Sequence, residues 1–432
     1  MMKENKNLYF YYGFLFVVNL VLGLRYHGEA PTIMRLAFLV MVVAPALKSY
    51  RILPFVIPLF LISSTAGYIE GLMPSQLYWY AVISVVVVFL ARNNHVKLGR
   101  YPISLLLLFL YITFVNYICG MTIEHISYSL IIVLAFCLLM RFGDEWALSL
   151  FSLVFALISL SLSLMFIFAD PTNTHSYGYT GLERVMAFSD PNYYGCTLGM
   201  GALTSVIELF RQPKGKTLLR SFYFIVAVMS FVILILNASR GGILAFALAV
   251  AVIILFSRVN RIGKIITIVV LAGLIAFLYE NDYFALLEYR IMNDTGGGSS
   301  RTAIWIYKLN VFFNQSNIFQ ILFGYGHNGG LAIGGGKFGY GAGKVLGFHN
   351  DFIAFLVDYG VIGLMLFLLF LYFIFRQACG NKILKVFCFS VLIFLVVHIM
   401  TLEPYTAGGL SIWVFSMYAI VISQTFLIKK QV

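Results

Sequence analysis

The chain has 432 residues, of which 61% are hydrophobic, 17% aromatic and only 11% charged, with a formal net charge of +12. Charged residues make up about 25% of an ordinary soluble domain, so these proportions exclude a soluble enzyme or binding module. They also exclude a nucleic-acid binder, because the basic residues are spread over short connections between apolar runs and are not gathered into one patch.

About fourteen apolar runs follow one another, each near the roughly 17 to 25 residues that cross a bilayer. They lie near Leu8 to Leu24, Thr32 to Leu47, Ile52 to Gly67, Leu77 to Ala91, Pro102 to Cys119, Ile126 to Met140, Trp146 to Ala169 and Tyr193 to Phe210. The later ones are Leu219 to Asn237, Gly241 to Phe256, Ile262 to Glu280, Asp351 to Phe375, Ile383 to Leu402 and Leu410 to Ile428. Backbone groups in lipid must be satisfied within their own segment, so the series predicts an all-α, polytopic bundle, one integral membrane domain over residues 1–432. Lys3 and Lys6 precede the first run, which is too long for a plain signal peptide and lacks a small-residue cleavage site.

With the N-terminus placed inside, the inside connections collect Lys48 and Arg51; Arg92, Lys97 and Arg100; Arg141; Arg211, Lys214, Lys216 and Arg220; Arg258, Arg261 and Lys264; Arg376, Lys382 and Lys385; and Lys429 and Lys430. That distribution is the positive-inside rule, and it assigns the net charge to topology. The five cysteines, Cys119, Cys137, Cys196, Cys379 and Cys388, form no close-spaced pair, so neither a disulfide framework nor a zinc site follows from them.

Three outward segments interrupt the bundle. The first, Ala169 to Gly195, is polar and carries Arg184 and the turn-forming Asp190-Pro191-Asn192. The second, NASRGG at Asn237 to Gly242, puts Arg240 in a tight turn between two runs. The third, residues 281–348, is the one large extracytoplasmic loop. Within it, SSRTAIWIYKLNVFF begins with Ser299 and Ser300, good N-cap residues, and continues at helical spacing. It predicts a short amphipathic helix on the membrane surface with Arg301, Trp305 and Lys308 on one face. Its unpaired first-turn N–H groups would favour an anion. The following FGYGHNGGLAIGGGKFGYGAGK is expected to be an irregular, mobile glycine loop.

Several motifs can be set aside. GYGHNG, Gly324 to Gly329, has the GxGxxG spacing but not the strand and helix that a dinucleotide site needs on either side. GAGKV near Lys344 lacks the first glycine and the Ser or Thr of a phosphate loop, and no HxxxH, DxD or GxSxG occurs. No metal and no cofactor is therefore expected. An arginine at a span end can simply snorkel to headgroup phosphates, and a lone histidine such as His349 is commonly held by backbone. Yet Arg184, Arg240, Arg301 and His349 all fall on one side of the membrane, in a chain with few outside charges. Arginines hold a diphosphate through charge-assisted, often bidentate bonds, and histidine is the commonest general base. Diphosphate as leaving group and a hydroxyl as nucleophile describe glycosyl transfer from a lipid-diphosphate sugar.

The motifs resemble those of the O-antigen ligase and polymerase superfamily, over about residues 188–365. His349-Asn350 followed by Gly360-Val361-Ile362-Gly363 reproduces the HN-x9-GxxG pattern of that family. NASRGG resembles its short arginine turn, SSRTAIW the arginine that opens its loop helix, SDPNYYG its PN segment, and Arg184 with Gly195 a looser R-x10-G pattern associated with polymerases. The resemblance implies a GT-C-like, metal-independent, inverting transferase of a bacterial inner membrane. Its site would lie on the periplasmic or extracellular face, and its donor would be an undecaprenyl-diphosphate-linked glycan. His349 would be the base, and Arg240 and Arg301 would bind the diphosphate. Arg184, Asn350, Asp351, Asp358 and Lys308 are further candidates for the substrate site, the two aspartates as groups that orient or tune His349. The expected activity is that of a polysaccharide polymerase, with a chain-length-regulating co-polymerase as a partner. The alternatives are a ligase that transfers the glycan to lipid A core, and a lipid-linked oligosaccharide flippase, although no internal repeat of the transporter kind is visible.

Overall fold

The computed structural model describes residues 100–120, 145–168, 191–213, 215–257, 261–292, 301–327, 347–380 and 384–402, the pairs 175–176 and 184–185, and scattered positions within 11–44 and 415–422. The expected runs near Ile52 to Gly67, Leu77 to Ala91 and Ile126 to Met140 lie outside the described residues. In chain order the elements are α1 (Arg100–Ile118), α2 (Glu145–Phe168), β1 (His175–Ser176), β2 (Arg184–Val185), α3 (Pro191–Arg211), α4 (Thr217–Leu236), α5 (Arg240–Phe256) and α6 (Arg261–Glu280). They continue with α7 (Ala285–Met292), α8 (Arg301–Gln315), α9 (Ile318–Phe323), α10 (Asp351–Gly380) and α11 (Lys385–Thr401). The two strands form one small antiparallel ribbon with Ser176 opposite Arg184; everything else regular among the described residues is helical.

Apart from that ribbon the regular structure among the described residues is helical, with several apolar helices of the kind a membrane protein has. Among the described residues, three stretches are long and apolar enough to cross a bilayer, Phe151–Phe168, Thr217–Leu236 and Asp351–Cys379. Shorter apolar stretches occupy Ile103–Ile118, Arg240–Phe256, Leu271–Glu280 and Lys385–Thr401. Each overlaps a run that the hydropathy of the sequence marks, within about five residues at each end, except that Leu271–Glu280 covers only the second half of the Ile262 to Glu280 run.

α3 sits at the centre, packed on α2, α4 and α5. It is buried from Tyr194 to Ser205 without interruption, as expected of a helix with no solvent or lipid face. Small residues let its neighbours approach closely. A Cβ on Gly199 would lie 2.9 Å from the Phe394 ring of α11, and a Cβ on Gly195 would lie 2.6 Å from Asn237 Oδ1 at the end of α4. α5 packs along α11, and α1 along α10.

α10 differs from the single span expected from Asp351 onward. Gly360 has φ 68° and ψ −175°, a region open essentially to glycine alone, and it divides the helix. Gly324, with φ 80°, lies against this break: a Cβ on Gly324 would strike the Asp358 carbonyl, and one on Gly360 the Leu322 carbonyl. The exposed backbone groups are paired across the crossing, Tyr325 N–H to Val357 O at 3.2 Å and Gly326 N–H to Asp358 O at 2.8 Å. The Tyr111 hydroxyl of α1 reaches Leu322 O at 3.2 Å and Tyr359 O at 2.9 Å. The start of the glycine loop is thus irregular, as expected, but Gly324, Gly326 and His327 are buried against α10; residues 328–346 lie outside the described residues. At 1.5 Å per residue, residues 361–380 alone cover roughly 30 Å, the thickness of the hydrocarbon core. Asp351, Asp358 and His349 therefore need not be placed in lipid.

Candidate functional site

The site is built at one end of the bundle, where several helices begin or end together. α4 finishes at Leu236 with Asn237 as its C-cap, Ala238 takes the left-handed conformation at φ 50°, and Ser239 caps α5 by accepting from Gly242 N–H. The turn is short because Ser239 can satisfy a first-turn donor at once. Arg240 is consequently the first residue of α5.

α8 begins at Arg301, as the sequence predicts, and buries Ile304, Lys308, Val311 and Phe312. The Arg301 guanidinium donates from Nη1 to Thr401 O at 2.5 Å, reaching a carbonyl in the last turn of α11. α7, between these elements, supplies Arg290. Its Nη1 donates to Ala238 O, and its own carbonyl accepts from Arg240 Nη1 at 3.4 Å. The carbonyls at helix ends lack intrahelical partners, so the arginines cap α11 and the end of α4 while being held in place themselves.

These three half-buried arginines line one cleft of about 310 Å³, together with Asn192, Ser239, Gly241, Thr302, Thr401 and the indole of Trp305; Leu244, Met400 and Leu402 form its apolar wall. Among these lining residues none is acidic. The N-terminal ends of α3, α5 and α8, from Asn192, Arg240 and Arg301, all open on the same space, and helix N-termini add partial positive charge. Arginine charges, the positive ends of helices, an amide and hydroxyls can together receive an anion with several oxygens, of the diphosphate kind.

His349 lies beside this cleft and is tied to it through its neighbour. The Trp305 indole Nε1–H donates to Phe348 O at 2.5 Å. The Phe348 ring lies 4.3 Å beneath Lys308 Nζ and is buried with Phe312, Ala354 and Val357. His349 is half-buried and left-handed, with φ 50°, a conformation uncommon for any residue other than glycine.

The other residues singled out from sequence are placed as follows. Asn350 caps α10, its Oδ1 accepting from Phe352 N–H at 3.0 Å and Ile353 N–H at 3.3 Å. Asp351 is 0% exposed and within electrostatic reach of Cys196 in α3, while Asp358 is 2% exposed at the α10 break. Lys308 is buried over Phe348. The backbone of Arg184 lies in β2, and Gly195 is the point where α3 meets the Asn237–Ser239 turn. Arg240 and Arg301 are thus brought together, and His349 follows Phe348, whose carbonyl is bound by Trp305 of the cleft, whereas Asp351, Asp358 and Lys308 are packed inside. Sequence reasoning passed over Arg290, although its position in the outward loop, eleven residues before Arg301, was a usable signal. Among the described residues, no three His, Cys, Asp or Glu side chains come together in a way that could hold a metal ion.

Fold and site define a predominantly helical membrane protein with a cationic cleft where described helices end. Residues 225–368, a third of the chain, match the Wzy_C family model, described as O-antigen ligase, so this segment is similar to that family. No curated protein matches the chain in sequence. The matched segment includes Arg240, Arg290, Arg301, Trp305 and His349; Arg184 lies outside it.

Proposed function

We propose that the protein is a polysaccharide polymerase, which transfers a glycan chain from undecaprenyl diphosphate to the terminal sugar hydroxyl of a lipid-linked repeat unit. The observation that carries this reading is the convergence of Arg240, Arg290 and Arg301 on one cleft that is joined by Trp305 to the His349 turn. The diphosphate of the donor binds among the arginines. His349 takes the proton from the acceptor hydroxyl as that oxygen forms its bond to the anomeric carbon. The bond from that carbon to the diphosphate oxygen breaks, and the leaving diphosphate keeps the electron pair among the three guanidinium groups. Attack on the face opposite the leaving group inverts the anomeric centre. Because the charge that develops on the leaving group is met by fixed guanidinium groups, the reaction proceeds without a metal ion.

The site faces the periplasmic or extracellular side, and both termini face the cytoplasm, in keeping with the positive-inside pattern of the loops. Reporter fusions after Asn293 and at the C-terminus should report opposite compartments; one compartment for both would overturn this topology. A co-polymerase that sets chain length is the expected protein partner.

A ligase is the second reading, favoured by the description of the matching family. It would use the same cleft and histidine with a lipid A core hydroxyl as acceptor. Cells lacking the protein separate the two. Loss of a polymerase leaves single repeat units displayed and no long chains, whereas loss of a ligase strands long chains on the carrier lipid. Unpolymerised units held on the inner face would instead indicate a flippase. Gel profiles of surface glycan, run beside carrier-lipid extracts, read all three outcomes.

A further inference from the structure

We propose that Trp305 is a positioning residue for His349, fixing the distance between the arginine cleft and the histidine. The proposal rests on the reading of His349 as the base. Arg301, Trp305 and Lys308 stand at i, i+4 and i+7 on α8, and each holds a different part of the same assembly. Arg301 lines the cleft and grips α11 through Thr401 O. Trp305 lines the same cleft and spends its only polar donor on Phe348 O at 2.5 Å. Lys308, buried, covers the Phe348 ring at 4.3 Å.

The residue before His349 is therefore held by its carbonyl, its ring and its packing. The residue after it is held as the α10 cap, through two bonds to Asn350 Oδ1. Between these anchors His349 adopts φ 50°, a conformation that histidine tolerates better than most residues but that is uncommon even so. Through this bond Trp305 joins the cleft to the 347–350 segment. Removing its N–H releases the Phe348 carbonyl and lets the histidine turn relax, while the three arginines and, in a phenylalanine variant, an aromatic ring at this position are retained.

The test is steady-state kinetics of Trp305→Phe in detergent or nanodiscs, with a purified lipid-linked repeat unit as substrate, alone and combined with His349→Ala. Losing one hydrogen bond that organises the site is expected to lower kcat about 10-fold with KM nearly unchanged. In the His349→Ala background the same substitution should add less than about 2-fold, since both changes then act through one group. Trp305→His, which keeps a ring N–H, should recover part of the loss and stands in if Trp305→Phe fails to fold. A raised KM at unchanged kcat, wild-type kinetics, or losses that multiply in the double variant would each overturn the proposal.

If His349→Ala turns over at the wild-type rate, the base reading fails instead. The positioning claim is then read separately from the rate at which diethyl pyrocarbonate modifies the His349 peptide, followed by mass spectrometry. A changed rate in Trp305→Phe supports the pinned turn, and an identical rate refutes it.

Discussion

Central helix α3 joins two arginine environments that chemistry separates. At its C-terminal end Arg211 is bound to Glu208, Nε to Oε1 at 2.9 Å and Nη2 to Oε2 at 3.0 Å. Gln212 Nε2 reaches Glu208 Oε2 at 2.5 Å, and Arg211 Nη2 reaches Ser149 at 2.5 Å. Side-chain exposure there is 10% for Arg211 and 0% for Glu208. At the other end, beside Asn192, the three cleft arginines are held by main-chain carbonyls, and among the described lining residues no carboxylate faces them. A carboxylate cancels the charge of a guanidinium; a carbonyl orients it and leaves the charge in place. The first arrangement ties α3 to α2, and the second lines a cleft with guanidinium groups.

The largest effect expected from this contrast is on chemistry at the cleft end. Arg240→Ala, Arg301→Ala and His349→Ala should each nearly abolish turnover, the histidine by roughly 10²- to 10⁴-fold, with folded protein still in the membrane. Lysine at either arginine should rescue poorly, because a point charge does not replace a planar fork. Wild-type rates in all three alanine variants would erase the distinction between the two ends.

Next in size is the opposite outcome at the other end. Glu208→Ala strands a buried guanidinium, at a cost of about 3–5 kcal/mol, and should lower the unfolding midpoint in detergent. Turnover per folded molecule should stay near wild type. A folded Glu208→Ala protein without activity would show that the ion pair belongs to the chemistry after all.

A smaller loss is expected at the break in α10. Gly360→Ala forces a side chain into a glycine-only conformation, costing about 1–3 kcal/mol for the backbone alone, and drives a methyl group toward the Leu322 carbonyl. Thermal unfolding should register this, with a partial loss of turnover because the first half of α10 carries the His349 turn. An unshifted midpoint would mean that the crossing is not fixed.

The smallest expected effect is none: polymer formation from purified lipid-linked units should continue in excess EDTA. Complete loss that Mg²⁺ restores would mean that the arginines are not sufficient counter-charge for the leaving diphosphate, and the contrast between the two ends would have to be redrawn around a cation.

Much of this was legible in the sequence because it depends on near neighbours. Helices α2 to α6 follow from hydropathy, the α4–α5 turn from Asn237-Ala238-Ser239, and the start of α8 from its serines and helical spacing. Arg240 and Arg301 were identifiable because each begins a helix, which is a local property. Arg290 carried only a positional signal, its place in the outward loop before Arg301; its importance lies in reaching Ala238 O, 52 residues earlier. GYGHNG was set aside as a nucleotide motif, and its structural use was invisible, since Gly324 and Gly360 are required by their contact with each other.

By itself, then, the sequence determined that the chain is helical and membrane-embedded, where most described helices begin and end, and which arginines and histidine stand at helix ends. Those properties are fixed by hydrophobicity, capping and turn chemistry acting over a few residues. Tertiary structure alone decided that Arg240, Arg290 and Arg301 share one cleft, that Asp351, Asp358 and Lys308 are packed away from it, that α10 is broken, and that Trp305 holds the His349 turn. Each of these is a meeting of segments distant in the chain, and such meetings depend on how α3, α5, α8, α10 and α11 pack and not on the local preferences of any one of them.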